Sequence, residues 1–192
     1  IRIEAPIPGK KAIGIEVPNV KAATVRIASV FDSEPWKTSN GKLTFVVGRD
    51  ISGAPVVANL EKMPHVLIAG QTNSGKSVMV NTLLTSLLYH SSPSDLKLIL
   101  VDPKHVELTP YNDIPHLLTP VITEPEKCIS ALKWAVSEME RRYRALAGDH
   151  KRNIEEYNIG NEDHMPYIII VIDELADLMM MAARDVEALI VR

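Results

Sequence analysis

The chain has 192 residues, of which 46% are hydrophobic and 23% charged, and its formal net charge at pH 7 is −3. That length suffices for one domain with a buried core, with room for a small appendage. The charge excludes binding of nucleic acid through overall basic character, and the single cysteine, Cys128, excludes an internal disulfide and a cysteine-rich zinc site. We expect Cys128 to be a buried structural thiol. The chain begins with Ile1 and has no apolar run of about 20 residues, so we expect a piece of a longer protein without a membrane span of its own.

The first 40 residues contain short β-like pieces interrupted by proline and glycine. One interruption is Pro8-Gly9, and the segment Ala12–Val17 alternates apolar residues with Gly and Glu, which is typical of a half-buried strand. The strong turn signal Asn40-Gly41 ends this part. We therefore predict a small β-containing N-terminal subdomain over residues 1–40 and the main domain over residues 41–192.

A β-hairpin is predicted at the start of the main domain. Leu43, Phe45 and Val47 alternate with other residues, Asp50–Gly53 forms a tight turn, and Pro55–Ala58 provides the second strand.

Three short apolar runs in the rest of the chain have the length and composition of buried strands, and they lie at His65–Ala69, Leu96–Val101 and Tyr167–Ile172. Segments with helical periodicity separate and follow them. This order predicts an α/β fold in which helices flank a parallel sheet on both faces.

Three helices are predicted from apolar stripes. The first covers Ser77–Tyr89, the second begins at Thr123 and ends near Gly148, and the third starts at Leu175. Thr123 and Glu126 have the spacing of a capping box. The stripe of the second helix consists of Ile129, Leu132, Val136, Met139, Tyr143 and Leu146.

Residues 70–77 fit the phosphate-binding pattern G-x-x-x-x-G-K-[S/T], between a predicted strand and a predicted helix. Such a loop wraps polyphosphate in backbone N–H groups, and the following helix directs its positive end at the phosphates. Asn73 suits a left-handed backbone better than other non-glycine residues do. The predicted nucleotide-binding residues are Gly70, Gln71, Thr72, Asn73, Ser74, Gly75, Lys76, Ser77 and Val78. Lys76 would reach the β- and γ-phosphates of ATP, and the Ser77 hydroxyl would bind Mg²⁺.

Two acidic residues, Asp173 and Glu174, follow the third predicted strand. Ligands of open parallel sheets bind at this edge, so we expect Asp173 to hold Mg²⁺ and Glu174 to polarise the attacking water. An alternative is that the pair only caps the helix that starts at Leu175, and Asp173 could do both. No N-K-x-D segment of small GTPases occurs, and their D-x-x-G after the Mg²⁺ strand is absent, since Asp173 is followed by Glu-Leu-Ala. A metabolite kinase needs no such Glu. ATP hydrolysis, with Lys76 and Glu174 as catalytic residues, is the better interpretation.

Several segments together resemble the FtsK/SpoIIIE family of DNA translocases. The resemblance extends over nearly the whole chain, and Asp-Pro-Lys and Glu-Met-Glu-Arg-Arg-Tyr are its most specific parts. The segments are Pro8-Gly9, residues 14–19, Met63-Pro64-His65, Gly75–Val78, Val101–Lys104, Val106–Leu108, residues 114–118, Glu138–Tyr143, Arg152–Ile154, Tyr157-Asn158 and residues 173–179.

The resemblance implies a RecA-like P-loop core that assembles as a hexameric ring around double-stranded DNA and moves it with ATP and Mg²⁺. It also implies a role in chromosome segregation at cell division. This domain would be cytoplasmic and would not touch the membrane, whereas the full-length protein would be anchored in the inner membrane. Gln71 and Asn73 differ from the usual family loop, residues 159–165 form a shorter connection than usual, and the chain ends before the last strands of the family core.

Lys151 and Arg152 are the candidates for DNA contact, because they follow Gly148 in a loop and the resemblance places pore-facing residues there. Arg141, Arg142 and Arg144 are expected to lie off the apolar stripe as solvated or inter-subunit charges. For Lys104 two roles stay open. It either acts at the nucleotide site or at a subunit interface, or it is an ordinary surface lysine. The histidines at 65, 105 and 116 match no metal-ligand spacing, so packing or loop roles are expected for them.

Two alternatives to a DNA translocase stay open. One is a related ring ATPase of conjugation or secretion, and the other is an assembly module that binds nucleotide without turnover.

Overall fold

The computed structural model of the chain describes residues 1–7, 11–20 and 23–191. Pro8-Gly9 lies outside the described residues. The described strands are β1 (Arg2–Glu4), β2 (Gly14–Glu16), β3 (Thr44–Arg49), β4 (Pro55–Asn59), β5 (Leu96–Val101) and β6 (Tyr167–Ile172). The described α-helices are α1 (Ala28–Phe31), α2 (Glu34–Lys37), α3 (Lys76–His90), α4 (Pro125–Gly148), α5 (Ile154–Asn158) and α6 (Leu175–Ile190). Within these ranges, no helix combines the length and the apolar character that crossing a bilayer requires.

The centre of the fold is the parallel pair β5–β6, with Leu96 opposite Tyr167 and Val101 opposite Ile172. The other edge of β5 is covered by residues 116–122, which form parallel bridges at Leu98–Leu117 and Val101–Ile122. β5 is therefore an interior strand, and its almost continuous burial confirms the strand predicted from its apolar run.

The predicted strand His65–Ala69 is wrong, because this segment is not a strand and pairs with none among the described residues. Val66 and Leu67 are exposed, Leu67 at 79%, and only Ile68 packs against the core. The outer edge of β6 pairs with no strand in the described part of the chain, so a ladder edge is free and the segment does not occupy it. With a single packed side chain, the run buries too little apolar surface to be held as a core strand.

Helices cover both faces of the β5–β6 pair, as predicted. One face packs against α3 and β3 in a core that includes Leu84, Leu87 and Leu98. The opposite face packs against α4 and α6 around Ile99 and Leu132. Since each face buries its own apolar cluster, the carboxyl ends of β5 and β6 are held at one edge of the sheet.

The predicted hairpin is confirmed as the antiparallel pair β3–β4. Its alternation fails at Val47, which is 45% exposed, because the register shifts between Val46 and Gly48 and reverses the faces beyond that point. The N–H of Val46 donates to Oγ of Ser86 over 3.1 Å, which ties β3 to α3.

In the N-terminal part, β2 pairs with β1 in an antiparallel ribbon. The expected half-burial of Ala12–Val17 is wrong, because Ile13, Ile15 and Val17 are each about two-thirds exposed. A two-stranded ribbon has no second layer to bury one face, and the described residues supply none here. By contrast, Val30 and Trp36 of α1 and α2 pack against Val46 of β3. The division at residue 40 remains a prediction.

The long helix α4 ends at Gly148 as predicted, but its start differs. The N-cap residue is Glu124, without a side-chain capping bond, so the capping box of Thr123 and Glu126 does not form. Pro125 occupies the first helical position, where its missing N–H costs nothing and its fixed φ suits the helix. The helix therefore begins at Pro125, two residues later than the start at Thr123 that the capping pattern predicted.

Candidate functional site

The loop that precedes α3 has the backbone that a phosphate-binding loop requires. Asn73 has φ of 64° and Gly75 has φ of 98°, so both lie in the left-handed region. Gly75 is the N-cap residue of α3, and Lys76 is its first helical residue. At Gly70, an added Cβ would lie 2.0 Å from Oγ of Ser74 and 3.0 Å from its Cβ, so a side chain there would displace the side chain of Ser74. Gln71, Thr72, Ser74 and Val78 are exposed.

Lys76 meets the two acids that follow β6, 97 and 98 residues further along the chain. Its Nζ donates to the backbone oxygen of Asp173 over 2.9 Å and to Oε2 of Glu174 over 3.3 Å. Oδ1 of Asp173 lies 3.5 Å from the same nitrogen. The predicted convergence of Lys76 with Asp173 and Glu174 at one sheet edge is therefore present.

The environment shifts the ionisation of these three groups. Burial lowers the pKa of Lys76, but the charge of Asp173 and the hydrogen bond and charge of Glu174 outweigh it, so the pKa is raised overall. Burial raises the pKa of Asp173 despite the opposing charge of Lys76. The hydrogen bond from Lys76 is the largest cause that lowers the pKa of Glu174. Glu174 is thus favoured as a carboxylate by the same lysine that would bind phosphate.

The geometry favours the site over the capping alternative for Asp173 and Glu174. The N-cap residue of α6 is Glu174 rather than Asp173, and its side chain makes no capping hydrogen bond, although the backbone N–H of Ala176 is the smallest of the causes that lower its pKa. Oδ1 of Asp173 is buried and lies 3.5 Å from Nζ of Lys76. Both acids are thus directed at the lysine of the phosphate loop, which fits a ligand site better than a cap.

Glu107 is a residue of this site to which the sequence pattern gave no role. Its Oε1 accepts a hydrogen bond from Oγ of Ser77 over 2.8 Å. Its backbone N–H donates to Oδ2 of Asp102 over 2.9 Å, and the N–H of Leu108 donates to the same oxygen over 2.9 Å. The available signal was the acidic residue in Val106-Glu107-Leu108, just past a strand that ends at the same edge.

Asp102 follows β5 directly and is fully buried. Burial raises its pKa, yet the backbone N–H groups of Leu108 and neighbouring residues outweigh burial and lower the pKa overall. Its other oxygen, Oδ1, accepts no hydrogen bond within the described part of the chain. Asp102 therefore acts as an ionised anchor that folds residues 103–108 back over the end of the sheet.

Lys104 is part of the same edge. Its Nζ lies 3.7 Å from Oε2 of Glu174 and 3.4 Å from Oδ2 of Asp177, which is on α6. The side chain of Lys104 is 54% exposed. The two ion pairs favour a link to the nucleotide edge over a plain surface lysine.

The basic residues near the end of α4 differ in their exposure to solvent. Lys151 and Arg152 are exposed beyond the helix, and the backbone N–H of Arg152 donates to Oε2 of Glu156 over 3.1 Å. The expectation that Arg142 lies off the buried stripe is wrong. Its side chain is only 13% exposed and donates to Glu138 and, over 2.6 Å, to the backbone oxygen of Pro166.

Tyr143, expected within the apolar stripe, is 62% exposed. The face of α4 near residue 142 meets the polar backbone before β6, so a guanidinium that can donate to a carbonyl is buried there in place of the ring. Arg141 and Arg144 are exposed as expected.

Cys128 is fully buried, as predicted, and burial raises its pKa to about 11. His116 is buried with Nε2 in hydrogen-bond contact with the backbone oxygen of Ser91 at 2.9 Å, whereas His65 and His105 are exposed. The described residues contain no cluster of three or more His, Cys, Asp or Glu side chains that could hold a metal by themselves.

Comparisons with known proteins agree with the motifs. The sequence profile of the FtsK/SpoIIIE family matches residues 26–192. The chain is 57% identical to the DNA translocase FtsK of Clostridium tetani over 192 residues, which cover 97% of this chain and 26% of that protein. It is 54% identical to the DNA translocase SftA of Bacillus subtilis over 197 residues, which cover 100% of this chain and 21% of that protein. The chain thus spans about a quarter of the length of these relatives.

Solved structures resemble the fold as well. One is the pCW3 conjugation coupling protein TcpA in a monomer form with ATPγS, with a TM-score of 0.63, 33% identity, and coverage of 80% of this chain and 42% of that chain. Another is the cytoplasmic domain of EssC, with a TM-score of 0.66, 28% identity, and coverage of 76% and 29%. These likenesses confirm the predicted α/β class with a P-loop core. Together with the profile match over residues 26–192, they confirm the resemblance drawn from the motifs, and the chain belongs to the FtsK/SpoIIIE family.

Proposed function

We propose that the chain is the nucleotide-binding core of a motor that hydrolyses ATP and moves double-stranded DNA, in the service of chromosome segregation at cell division. Family membership and the names of the relatives, DNA translocase FtsK and DNA translocase SftA, support this function. The observation that carries it is the meeting of Lys76 with Asp173 and Glu174 at the carboxyl edge of the sheet.

The roles follow from this geometry. Residues 70–75 form an exposed loop with two left-handed residues, and residues 76–78 begin α3; together they can wrap the phosphates of ATP in backbone N–H groups. Lys76 neutralises the charge of the β- and γ-phosphates. Glu174, released from Lys76 when phosphate takes its place, orients and polarises the attacking water as general base.

Ser77 and Asp173 would hold Mg²⁺. Hydroxyl and carboxylate oxygens are ligands that this ion prefers, and the buried Oδ1 of Asp173, which faces Nζ of Lys76 over 3.5 Å, could face the ion once phosphate draws the lysine away. When bound, the ion would neutralise negative charge on the phosphate oxygens. Asp173 needs to be ionised for this role; burial raises its pKa, and the charge of Lys76 opposes that rise, as the charge of a bound cation also would.

The test separates binding from turnover. Lys76→Ala is expected to abolish binding of a fluorescent ATP analogue, whereas Glu174→Gln retains binding and lowers turnover by at least about 100-fold, within the range of a general base. Lys133→Ala, an exposed lysine on α4, serves as the control for charge removal. Full turnover in Glu174→Gln would remove Glu174 from the mechanism.

We assign contact with the DNA backbone to Lys151 and Arg152, in a ring of six copies whose pore these residues face. Their exposure beyond the end of α4 and their charge support this assignment. The double variant Lys151→Ala/Arg152→Ala is expected to weaken duplex binding and to reduce the slope of log affinity against log salt by about two for each subunit that contacts the duplex. Lys133→Ala/Arg184→Ala removes the same charge from exposed helical positions and is expected to leave that slope unchanged.

A second candidate is a ring ATPase of conjugation or secretion, and the likeness to the coupling protein TcpA favours it. Stimulation of ATP turnover by duplex DNA distinguishes a DNA-moving ATPase from a protein-secreting one, because only the former couples its turnover to DNA. No stimulation in the full-length protein would favour the secretion ATPase. A nucleotide-binding assembly module is the outcome if ATP binds but neither the wild-type chain nor the full-length protein hydrolyses it.

A further inference from the structure

The hydrogen bond between Ser77 and Glu107 has a consequence for the metal site. A serine hydroxyl has one proton to donate and two lone pairs that accept. In this structure the proton is directed at Oε1 of Glu107, 2.8 Å away, and Ser77 stands immediately after Lys76 at the start of α3. With the proton direction fixed, both lone pairs remain available for a cation.

The main chain of Glu107 is tied to the end of β5. Its backbone N–H donates to Oδ2 of the fully buried Asp102 over 2.9 Å. Glu107 is half-buried, whereas the adjacent Val106 is 68% exposed. The hydrogen bond from Ser77 then holds its carboxylate at the nucleotide edge.

A second observation concerns the neighbouring acid Asp173. Its side chain is only 5% exposed, and its buried Oδ1 lies 3.5 Å from Nζ of Lys76. If phosphate draws Lys76 away, this buried oxygen needs another cation beside it, and Mg²⁺ bound with ATP would supply one.

We propose that Glu107 is a positioning residue for Mg²⁺, which accepts the proton of the Ser77 hydroxyl and so aims the oxygen of Ser77 at the ion bound with ATP. This inference rests on the proposed nucleotide site. It assigns to the acidic residue of the segment Val106-Glu107-Leu108 a role that acts through Ser77 rather than through contact with the nucleotide.

The experiment measures binding of a fluorescent ATP analogue as Mg²⁺ is titrated, and again in EDTA. Glu107→Ala is expected to raise the Mg²⁺ concentration at half-saturation by about 10-fold, the lower end of the effect of removing a partner that orients a metal ligand. The affinity in EDTA is expected to stay within about twofold, since the groups that hold the phosphates are untouched. Glu187→Ala, exposed on α6, is the control.

Two conservative variants separate hydrogen bonding from charge. Glu107→Gln keeps a carbonyl acceptor at the same reach and is expected to restore the Mg²⁺ requirement to within about threefold of wild type. Glu107→Asp keeps the charge but withdraws the acceptor by one methylene, so it is expected to behave like Glu107→Ala. The reverse order, with Glu107→Asp functional and Glu107→Gln defective, would show that charge acts and would overturn the proposal.

The pathway through Ser77 is tested by a double-mutant cycle. In a Ser77→Ala background, Glu107→Ala is expected to add no further change to the Mg²⁺ requirement. Independent effects of the two substitutions, or an equal loss of affinity with and without Mg²⁺, would overturn the proposal while leaving the nucleotide site intact. Failure of the wild-type chain to bind the analogue under any condition would instead overturn the proposed function, and this inference with it.

Discussion

Nζ of Lys104 lies 3.7 Å from Oε2 of Glu174, a contact that joins the segment after β5 to the segment after β6. The same oxygen accepts a hydrogen bond from Lys76 over 3.3 Å. The acid proposed as general base is therefore placed between two lysines, one from the phosphate loop and one from the neighbouring strand end. A phosphate that draws Lys76 away would leave Lys104 as the cation that still holds Glu174.

This arrangement predicts a small effect for Lys104→Ala. The side chain of Lys104 is 54% exposed, and such ion pairs contribute about 0–1 kcal/mol, which corresponds to at most about a fivefold loss of turnover. The measurement is the turnover rate at saturating ATP and Mg²⁺, with Lys133→Ala as the matched control. A loss of more than about 50-fold would contradict a supporting role and indicate direct contact of Lys104 with nucleotide or a neighbouring subunit.

The left-handed backbone at Asn73 predicts a graded response to substitution. With φ of 64°, a β-branched residue there costs about 1–2 kcal/mol, so Asn73→Val is expected to weaken ATP binding by about 5- to 30-fold. Asn73→Gly is expected to bind at least as well as wild type. Gln71→Val is the control, because Gln71 is exposed in the same loop and is not among the residues with positive φ. Equal losses at both positions would show that side-chain bulk, not backbone strain, limits binding.

The elements that sequence patterns predicted well are those that local residues determine. The strand at Leu96–Val101 and the helix Lys76–His90 formed where their apolar residues indicated, and Asn73 took the conformation for which asparagine is suited. Asp173 and Glu174 reached Lys76 because parallel strands end at one edge. These features follow from the spacing of nearby apolar residues, from the backbone preference of asparagine, and from the rule that parallel strands end at the same edge.

The features that sequence patterns did not predict depend on partners distant in the chain. Whether His65–Ala69 became a strand depended on packing against distant residues, of which only Ile68 has any in the core, and no local pattern reports this. Arg142 is buried because the backbone oxygen of Pro166 lies opposite, 24 residues away. Likewise, Glu107 gained its contact with Ser77 only through the fold, 30 residues apart.

Burial of Cys128 predicts a thiol that is inert in the folded chain. Burial raises its pKa to about 11, so at pH 8 the thiolate fraction is on the order of 100-fold smaller than in the unfolded chain. Reaction with a chromogenic disulfide reagent is expected to be at least that much slower without denaturant than in 6 M guanidinium, where one thiol per chain should react. Rapid stoichiometric reaction of the folded chain would contradict the packing of Cys128 beneath β5 and β6.

The hydrogen bonds of Glu138 predict that the stability of the folded chain falls at acid pH. Its carboxylate accepts hydrogen bonds from Nε of Arg141 and Nε of Arg142, each over 2.7 Å, and the Arg141 contact is the larger cause that lowers the pKa of Glu138 to about 2. Because the folded pKa lies below the ordinary value, the contribution of Glu138 is fully present above about pH 4.5 and is lost as pH falls towards 2.

Glu138→Gln is therefore expected to lower the free energy of unfolding by about 1.5–3 kcal/mol at pH 7, the range for a hydrogen-bonded charge, and by clearly less at pH 3. Urea denaturation of wild type and variant at both pH values measures the difference. Glu187→Gln, exposed on α6, is expected to change stability by no more than about 0.5 kcal/mol at either pH. A Glu138→Gln deficit that is constant from pH 7 to pH 3 would mean that the side chain stabilises α4 through packing, because a contribution from its charge must fade as the carboxylate takes up a proton.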